Sequence, residues 1–392
     1  MHPILLTCCL LPCLASIVSG QVQEVLSPAP IGSGEPNLVV TPDGRLLLSW
    51  IEEIGEKHAL CYATGENDGW SDPTVVVSGE NWFVNWADFP SLVGLPDGSL
   101  AAHWLVKSGK DTYDYDVHIA RSSDGGKTWG KSFTPHRDGV KAEHGFVSMF
   151  ANDRDVLSVA WLDGREMKAG GHGHGRGNMT LRYVEVQSDG QLRGAALLDE
   201  RVCECCQTSA VMTNKGPVVV YRDRSHDEVR DIAMVRRVDG KWLKPQLVHP
   251  DGWKIAGCPV NGPSIAASGD NVAVAWFTAA RDRACVQVAI SRDSGATFAA
   301  PLRLDEANPI GRAKVRVHTD GSVFVCWLAR DDKVGAVRMC RLDERTELGD
   351  VVTIARTGVS RRNGFPQMVI CGDALVFAWT DGRVQTARLP IK

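Results

Sequence analysis

The stretch Thr41-Pro-Asp-Gly-Arg-Leu-Leu-Leu-Ser-Trp50 joins a turn sequence to a short apolar run that ends in an aromatic residue. Asp and Gly tolerate the positive φ angles of tight hairpins, and the apolar run suits a buried strand. The same arrangement recurs as Leu95-Pro-Asp-Gly-Ser-Leu-Ala-Ala-His-Trp104. Each stretch therefore predicts a hairpin turn followed by the second strand of an antiparallel β unit.

Seven copies of this unit follow one another along the chain. Their closing aromatics are Trp50, Trp104, Trp161, Tyr221, Trp276, Trp327 and Trp379. Successive aromatics are 51 to 60 residues apart, a period that is typical of radially repeated all-β architectures. Each unit also has strand-like segments before the turn and after the aromatic. We therefore predict an all-β fold, a β-propeller of seven four-stranded blades, with six blades as the alternative.

The two ends of the chain predict how the ring closes. The seventh unit stops after its third strand, near residues 384–389, whereas a spare strand-like segment precedes the first unit at residues 22–26. Pairing this N-terminal segment with the last blade would complete that blade and remove an open sheet edge. We expect the first and last segments of the domain to be hydrogen-bonded neighbours.

Composition and the N-terminus indicate an exported protein. The apolar residues 1–20 predict a signal peptide, which leaves residues 21–392 as a single propeller domain. A lipoprotein anchor at Cys13 is the less favoured alternative, because Leu10-Leu-Pro12 before it is a poor lipidation signal. We expect a periplasmic or extracellular location and no membrane span. The net charge of −4 gives no reason to expect a nucleic acid partner.

Two turns carry a more specific signal, Ser122-Ser-Asp-Gly-Gly-Lys-Thr-Trp129 and Ser291-Arg-Asp-Ser-Gly-Ala-Thr-Phe298. Both fit the Asp-box pattern, in which the Asp caps backbone amides of its own turn and the aromatic packs beneath the blade. Through these turns the chain resembles the sialidase superfamily of β-propellers, those with bacterial neuraminidase repeats. The resemblance covers the mature chain and implies a functional site on the face opposite the Asp boxes.

Polar residues in the loops on that opposite face are the candidate site residues. The resemblance implies a carboxylic acid catalyst, and arginines that hold the carboxylate of an acidic sugar or glycan. The catalytic candidates, with Asp88 first, are Asp88, Asp116, Glu143 and Tyr221. The sugar-binding candidates are Arg222, Arg224, Arg312, Arg362, His144 and Asn261, with Arg281 as a substitute.

The chain departs from the sialidase pattern in two places. Sialidases use a Tyr nucleophile that is activated by a Glu and normally comes from a late blade. In this chain no Tyr follows Tyr221. Tyr221 itself occupies the aromatic core position of its unit. Gly34-Glu-Pro36 stands where the family has Arg-Ile-Pro. Two functions therefore remain open: a sialidase-like glycoside hydrolase, and a non-catalytic propeller that binds a glycan or a protein.

The cysteines suggest a third class of function. Nine follow residue 20, an odd number, so at least one is unpaired in a monomer. Cys203, Cys205 and Cys206 precede blade four and Cys258 precedes blade five, so neighbouring blades should bring them together. In an exported protein we expect a disulfide from Cys258 to one of the other three. The alternative is a metal or redox site, in which these thiolates, with His172 and His174, hold zinc or copper; no other cofactor is required.

Overall fold

The computed structural model describes residues 21–66, 69–152, 155–167 and 177–391. These residues form 28 β-strands and two single-turn 3-10 helices. The strands group into seven antiparallel sheets. The structure is therefore the predicted seven-bladed propeller, and the six-bladed alternative is wrong.

The strands follow in chain order. The N-terminal strand is β1 (Gln23–Val25). Blade one contains β2 (Gly34–Val40), β3 (Leu46–Ile54), β4 (Lys57–Thr64) and β5 (Thr74–Gly79). Blade two contains β6 (Ser91–Gly94), β7 (Leu100–Lys107) and β8 (Tyr115–Ser122). Blade three contains β9 (His144–Ala151), β10 (Leu157–Asp163), β11 (Met179–Val186) and β12 (Leu192–Val202).

The remaining four blades complete the ring. Blade four contains β13 (Ser209–Thr213), β14 (Gly216–Arg222), β15 (Ile232–Val238), β16 (Lys241–Trp242) and β17 (Gln246–Leu247). Blade five contains β18 (Ser264–Ser268), β19 (Asn271–Thr278), β20 (Cys285–Ser291) and β21 (Leu302–Asp305). Blade six contains β22 (Pro309–Val317), β23 (Val323–Asp331), β24 (Val334–Leu342) and β25 (Val352–Thr357). Blade seven contains β26 (Gln367–Cys371), β27 (Ala374–Thr380) and β28 (Val384–Pro390). The 3-10 helices are Ala280–Asp282 and Arg361–Asn363.

Blades two and four are irregular at their outer edges. In blade two, the position of a fourth strand holds an isolated bridge between Ile119 and Phe133. In blade four, the outer edge is divided between β16 and β17, and both pair with β15. The other sheets have four strands each.

The N-terminal strand closes the ring as predicted. Strand β1 pairs antiparallel with β28, with Gln23 opposite Arg388 and Val25 opposite Thr386. The hydroxyl of Thr386 also accepts a 3.2 Å hydrogen bond from the indole of Trp70 in blade one. Blade seven is therefore completed by β1 and linked to blade one, which covers the edge it would otherwise expose.

All seven repeat aromatics lie in the second strand of their blade and are at most 5% exposed. In two of them the buried indole is satisfied by a carboxylate from the end of the preceding blade. Trp276 donates to Asp251, and Trp327 donates to Asp305, both at 2.7 Å. Because a buried indole N–H needs an acceptor, the repeat links neighbouring blades by hydrogen bonds as well as by apolar packing.

The two Asp-box turns have the predicted local geometry. Asp124 accepts hydrogen bonds from the amide and hydroxyl of Thr128, at 2.9 and 2.6 Å, and Asp293 makes the equivalent pair in the second turn. The guanidinium of Arg45 donates to the carbonyl of Gly125 at 3.0 Å. This contact places the first Asp box on the same face as the hairpin turn at residues 41–45, so the loops before the first strands open on the other face.

Within the described ranges, no helix is long and apolar enough to cross a membrane. The predicted signal peptide at residues 1–20, with the alternative anchor Cys13, lies outside those ranges. His172 and His174, the two predicted nitrogen ligands, also lie outside them.

Candidate functional site

A cavity of about 360 Å³ lies on the propeller axis and is lined by residues from the inner strands and the loops before them. Blade two contributes Asp88, and blade six contributes Lys314 and Arg316. Gln207 from blade four and Phe365 from blade seven complete the part of the lining that concerns the site. The predicted face therefore has a polar cavity at its centre.

The first feature of this face is a pair of carboxyl groups joined by a tyrosine. The hydroxyl of Tyr115 lies 2.8 Å from Asp88 Oδ2 and 3.0 Å from Glu143 Oε1, and all three residues are buried. The other oxygen of Asp88 accepts the amide of Phe146 at 2.7 Å. A phenol has one proton to donate, so the second short contact needs a proton on one of the carboxyl groups. The arrangement therefore favours a state in which Asp88 and Glu143 share one proton between them.

The environment of the pair favours that protonated form. Burial raises the pKa of Asp88 to about 7. Burial, followed by the charge of Asp88, raises the pKa of Glu143 well above its usual range. A desolvated carboxyl next to another carboxyl keeps a proton at neutral pH. Because Asp88 also lines the cavity, this pair can present an acidic proton to a ligand there.

The lack of a side chain at Gly145 allows Asp88 and Tyr115 to approach each other closely. A Cβ at position 145 would stand 2.0 Å from Asp88 Oδ2 and 2.8 Å from the hydroxyl oxygen of Tyr115. Tyr115 is completely buried, and its ring stacks on Phe83 with the centroids 4.0 Å apart. Tyr115 therefore positions the two carboxyl groups beneath the surface. Sequence reasoning missed this role, although it placed the segment Tyr113-Asp-Tyr-Asp116, which leads into β8, on the predicted face.

Asp116 and His144, predicted as catalytic and sugar-binding residues, belong to a different cluster. His144 Nδ1 lies 3.2 Å from Asp116 Oδ1, and its ring stacks on that of His136 at 3.8 Å. Asp138 and Asp163 lie 3.4 and 3.7 Å from His144 Nε2. Although burial opposes protonation, these three carboxylates raise the pKa of His144. The cluster is a buried ionic contact between blades two and three, separate from the carboxyl pair.

Arg222 and Arg224 are occupied by contacts within the protein. The buried guanidinium of Arg222 donates to the carbonyls of Asn261, Arg230 and Phe277 at distances of 2.6 to 3.0 Å. Arg224 donates to the carboxylates of Glu204 and Glu228. Neither arginine is placed to hold the carboxylate of a ligand, because four of the five N–H groups of Arg222 are filled and Arg224 is already neutralised.

Arg312 differs from these two in its surroundings. Its Nη1 donates to the carbonyl of Gly364 at 2.6 Å, and its guanidinium lies 4.6 Å over the ring of Trp86. Burial, followed by the charge of Arg361, lowers the pKa of Arg312 to about 10. Among the described residues, no carboxylate forms an ion pair with Arg312. Trp86 is two residues from Asp88 in the chain, and only Nη1 of the Arg312 guanidinium hydrogen-bonds to another described residue.

Two further cations line the cavity. Burial, followed by the charge of Arg316, lowers the pKa of Lys314 to about 8, and burial lowers that of Arg316 to about 10. Neither side chain pairs with a carboxylate in the part of the chain that the structure describes. Sequence reasoning missed both, although alternate positions of a strand share one face and Lys314 and Arg316 are two residues apart in β22.

The other predicted residues have structural or peripheral positions. Asn261 accepts the amide of Arg312 at 2.6 Å through its side-chain oxygen. Tyr221 lies in the core and donates to Asp199, as its place in the aromatic repeat predicts. Arg362 is exposed in the 3-10 helix before β26, and Arg281 is exposed in the other 3-10 helix.

The four cysteines of the predicted cluster do meet, but as free thiols. Cys203 Sγ lies 3.5 Å from Cys206 Sγ, and the sulfurs of Cys203, Cys205 and Cys258 lie within 4.8 Å of one another. The predicted disulfide of Cys258 is absent, since every cysteine in the described ranges is free. A disulfide needs about 2.05 Å between sulfurs, and the sulfurs of Cys203 and Cys206 lie at contact distance instead.

Charged groups surround these thiols. Arg230 Nη1 lies 3.2 Å from Cys203 Sγ and 2.9 Å from Glu204 Oε2. Although burial opposes ionisation, hydrogen bonds from the three neighbouring thiols and the charge of Arg230 hold the pKa of Cys203 well below its usual range. Burial, then the charges of Glu143, Cys258 and Cys205, raise the pKa of Tyr113. Glu143 and two of the thiols are therefore near enough to Tyr113 to influence its ionisation.

Comparison with known proteins supports the fold. No protein-family model matches the chain, and no curated protein matches it. A protein of unknown function from Dyadobacter fermentans has a TM-score of 0.52 at 15% identity, over 96% of this chain and 98% of that chain. An ulvan lyase has a TM-score of 0.51 at 13% identity, over 79% of each chain. A sialidase from Streptococcus pneumoniae reaches 0.48 at 9% identity, over 88% of this chain and 83% of that chain. At these identities the likeness is one of fold.

Proposed function

We propose that the protein binds an acidic sugar at the propeller mouth and cleaves its linkage with Asp88 as the proton donor. One observation carries the proposal: the buried carboxyl group of Asp88 and two cations with no carboxylate partner in the described ranges border a single cavity. Asp88 lines the cavity from blade two, and Lys314 and Arg316 line it from blade six. Arg312 stands beside them over Trp86.

The positive charges in and beside the cavity are the reason for proposing an acidic sugar as the ligand. A guanidinium forms charge-assisted, bidentate hydrogen bonds to a carboxylate or sulfate, and these are strongest away from bulk water. Arg312 has donors available and no carboxylate partner within the described ranges. An anionic sugar placed on it would supply the missing counter-charge for Arg312, Lys314 and Arg316. A neutral sugar would leave these charges uncompensated.

The carboxyl pair accounts for the chemistry. A general acid must hold its proton at the working pH and lie within hydrogen-bond reach of the leaving oxygen. Burial raises the pKa of Asp88 to about 7, which meets the first condition near neutrality. After Asp88 gives up its proton, Tyr115 and Glu143 can return one through their hydrogen bonds.

A propeller of similar fold is an enzyme of acidic polysaccharides. The ulvan lyase was solved with a ligand that contains GlcA. A protonated side chain serves both hydrolysis and elimination, so the substrates tested should include sialosides and uronic acid polysaccharides. The predicted signal peptide would place this activity outside the cytoplasm, where such glycans occur.

Binding without turnover is a second candidate, and the position of Tyr115 favours it. Its hydroxyl lies beneath Gly145 and is completely buried. A tyrosine nucleophile of the sialidase type has to contact the sugar, and this one does not reach the cavity surface. If no other nucleophile or base acts, the same mouth is a lectin-like site for an acidic glycan.

The test combines turnover and binding on the purified full chain. Wild type, Asp88→Asn, Arg312→Ala and the surface control Asp189→Asn are assayed with a fluorogenic sialoside, a fluorogenic glucuronide and ulvan, with calorimetry for binding. Asp88→Asn should bind but not cleave, and Arg312→Ala should bind more weakly by about 1.5–3 kcal/mol. Binding by wild type without cleavage supports the lectin-like candidate. If the folded wild type neither binds nor cleaves any of them, the proposal fails.

A further inference from the structure

Four thiols from two neighbouring loops meet at the mouth, and we call Cys203, Cys205, Cys206 and Cys258 the thiol cluster. Three of its sulfurs lie within 4.8 Å of one another, and the fourth, that of Cys206, is 3.5 Å from Cys203 Sγ. The other five described cysteines lie in or at the ends of strands of blades one, five, six and seven: Cys61, Cys285, Cys326, Cys340 and Cys371. The clustering is thus a local feature of this loop pair.

The backbone fixes most of the cluster in place. The amide of Cys203 donates to the carbonyl of Arg222 at 2.9 Å, which ties the start of the segment to β14. The amide of Asn261 donates to Cys206 Sγ at 3.4 Å, which joins the segment to the loop that carries Cys258. Cys203, Cys205 and Cys206 are buried and Cys258 is exposed. The cluster therefore has a fixed inner part and one side that is open to solvent.

The charges around the cluster suit a site for ionised sulfur. Arg230 contacts both Cys203 Sγ and the buried carboxylate of Glu204, and Arg224 also pairs with Glu204. Glu228 pairs with Arg224, Arg230 and Arg201. Three guanidinium groups thus oppose two carboxylates in this network, which leaves one positive charge to offset a thiolate. A buried thiolate without such compensation would be costly. Glu204 Oε2 lies 3.9 Å from Cys258 Sγ, so an oxygen donor borders the open side.

We propose that the thiol cluster binds one soft closed-shell cation, zinc(II) or copper(I), through Cys203, Cys205 and Cys258, with Cys206 as the additional sulfur donor. Thiolates select these two ions among the common transition metals. With zinc–sulfur bonds of about 2.3 Å, two ligands of a tetrahedral ion lie about 3.8 Å apart. The 3.5 Å between Cys203 and Cys206 and the 4.8 Å limit on the other three sulfurs are compatible with that spacing.

This inference is independent of the proposed sugar site. The cation would be held by residues before blades four and five, whereas the sugar contacts come from blades two and six. A protein that fails every glycan assay can still bind the metal, and the reverse also holds. The thiol cluster would then be a structural or redox centre at the edge of the mouth.

The test uses the full chain, purified under reducing conditions without oxygen and stripped of metal. Zinc(II) and copper(I) are added in separate titrations against a chromophoric competitor, and bound metal is measured by mass spectrometry. Cobalt(II), as a probe, reports thiolate ligation through its charge-transfer absorption. Wild type should bind about one equivalent of zinc or copper(I), and the number of thiols that react with a disulfide reagent should fall by three or four. The tighter of the two titrations identifies the ion.

Variants connect the binding to the cluster. Cys258→Ser changes an exposed loop residue and should keep the fold, with a loss of affinity of about 100-fold or more, since even removal of a residue that supports a ligand costs 10- to 100-fold. Cys371→Ser, a cysteine outside the cluster, is the matched control and should bind like wild type. Cys205→Ser is a second cluster variant, and circular dichroism confirms that each protein is folded.

Three results would overturn the proposal. The first is no binding of either ion by the folded, reduced wild type. The second is unchanged affinity in both Cys258→Ser and Cys205→Ser. The third is a disulfide from Cys258 to the cluster in protein purified without reductant, seen by peptide mass mapping, that survives the mild reduction needed for metal loading. That last result would restore the disulfide expected from the sequence.

Discussion

Replacing Asp88 with Asn should change how the stability of the protein depends on pH. Between pH 3.8 and about 7 the folded protein holds a proton on Asp88 while the unfolded chain releases it, because burial raises the pKa of Asp88 from 3.8 to about 7. A group with a raised acid pKa makes the native state less stable as pH rises through that window. The amide of Asn cannot ionise, so the variant should lack this loss.

The magnitude follows from the width of the window. Each pKa unit corresponds to about 1.36 kcal/mol, and Asp88 is half ionised at pH 7, so the loss for wild type between pH 5 and pH 7 is about 2.3 kcal/mol. Asn keeps a carbonyl oxygen to accept the amide of Phe146, and its amino group can donate to the hydroxyl oxygen of Tyr115. Removing the Asp88 charge also lowers the pKa of Glu143, which adds to the gain in the same direction.

Urea unfolding followed by tryptophan fluorescence at pH 5, 6, 7 and 8 measures the effect. The difference in unfolding free energy between Asp88→Asn and wild type should rise by about 3 kcal/mol across this range and level off above pH 7. Asp189→Asn, in a surface turn, controls for the loss of one charge and should follow wild type. A difference that does not change with pH would refute the inference that Asp88 is protonated near neutrality.

Two further substitutions test the packing around the site and between the blades. Gly145→Ala places a methyl group 2.0 Å from Asp88 Oδ2 and should destabilise the protein by about 1–3 kcal/mol in urea unfolding. The control Gly69→Ala has open space around its Cα and should not destabilise it. Equal stability of the two variants would contradict the close packing at Gly145. Asp305→Ala removes the acceptor of the buried Trp327 indole and should cost about 1–3 kcal/mol, and Asp305→Asn, which keeps an acceptor, should recover most of that loss.

The propeller fold could be predicted from the sequence because the repeated unit that defines it lies within a short stretch of the chain. Each unit combines a turn that needs Asp, Asn or Gly with a run of apolar residues that ends at a buried aromatic such as Trp50. The spacing of these aromatics counts the blades, and the spare segment before β2 indicates how the ring closes. Register within a blade follows from the two-residue alternation along each strand. These features depend on residues that are close together in the chain, so they can be recognised without knowing which loops contact each other.

The site was less readable because its contacts join residues that are far apart in the chain. Tyr115 bridges Asp88 and Glu143, which lie 27 and 28 residues away on either side. The sequence could indicate that these loops share a face, and Asp88 was its first choice of acid. It could not indicate that Glu143 turns toward Tyr115 while the adjacent His144 turns toward Asp116, since that choice depends on the backbone conformation where the chain enters β9 at His144.

The arginines show most clearly that residue type alone does not determine whether a side chain has a structural role. Arg222 ends the second strand of blade four and Arg312 lies near the start of the first strand of blade six, and each lies over a tryptophan, Trp253 and Trp86 respectively. Arg222 meets three backbone carbonyls and is used up by them, whereas the carbonyl of Gly364 meets only one nitrogen of Arg312 at short distance. The number of unpaired carbonyls that the surrounding loops expose therefore decides whether an arginine on this face is occupied by the fold or keeps donors available.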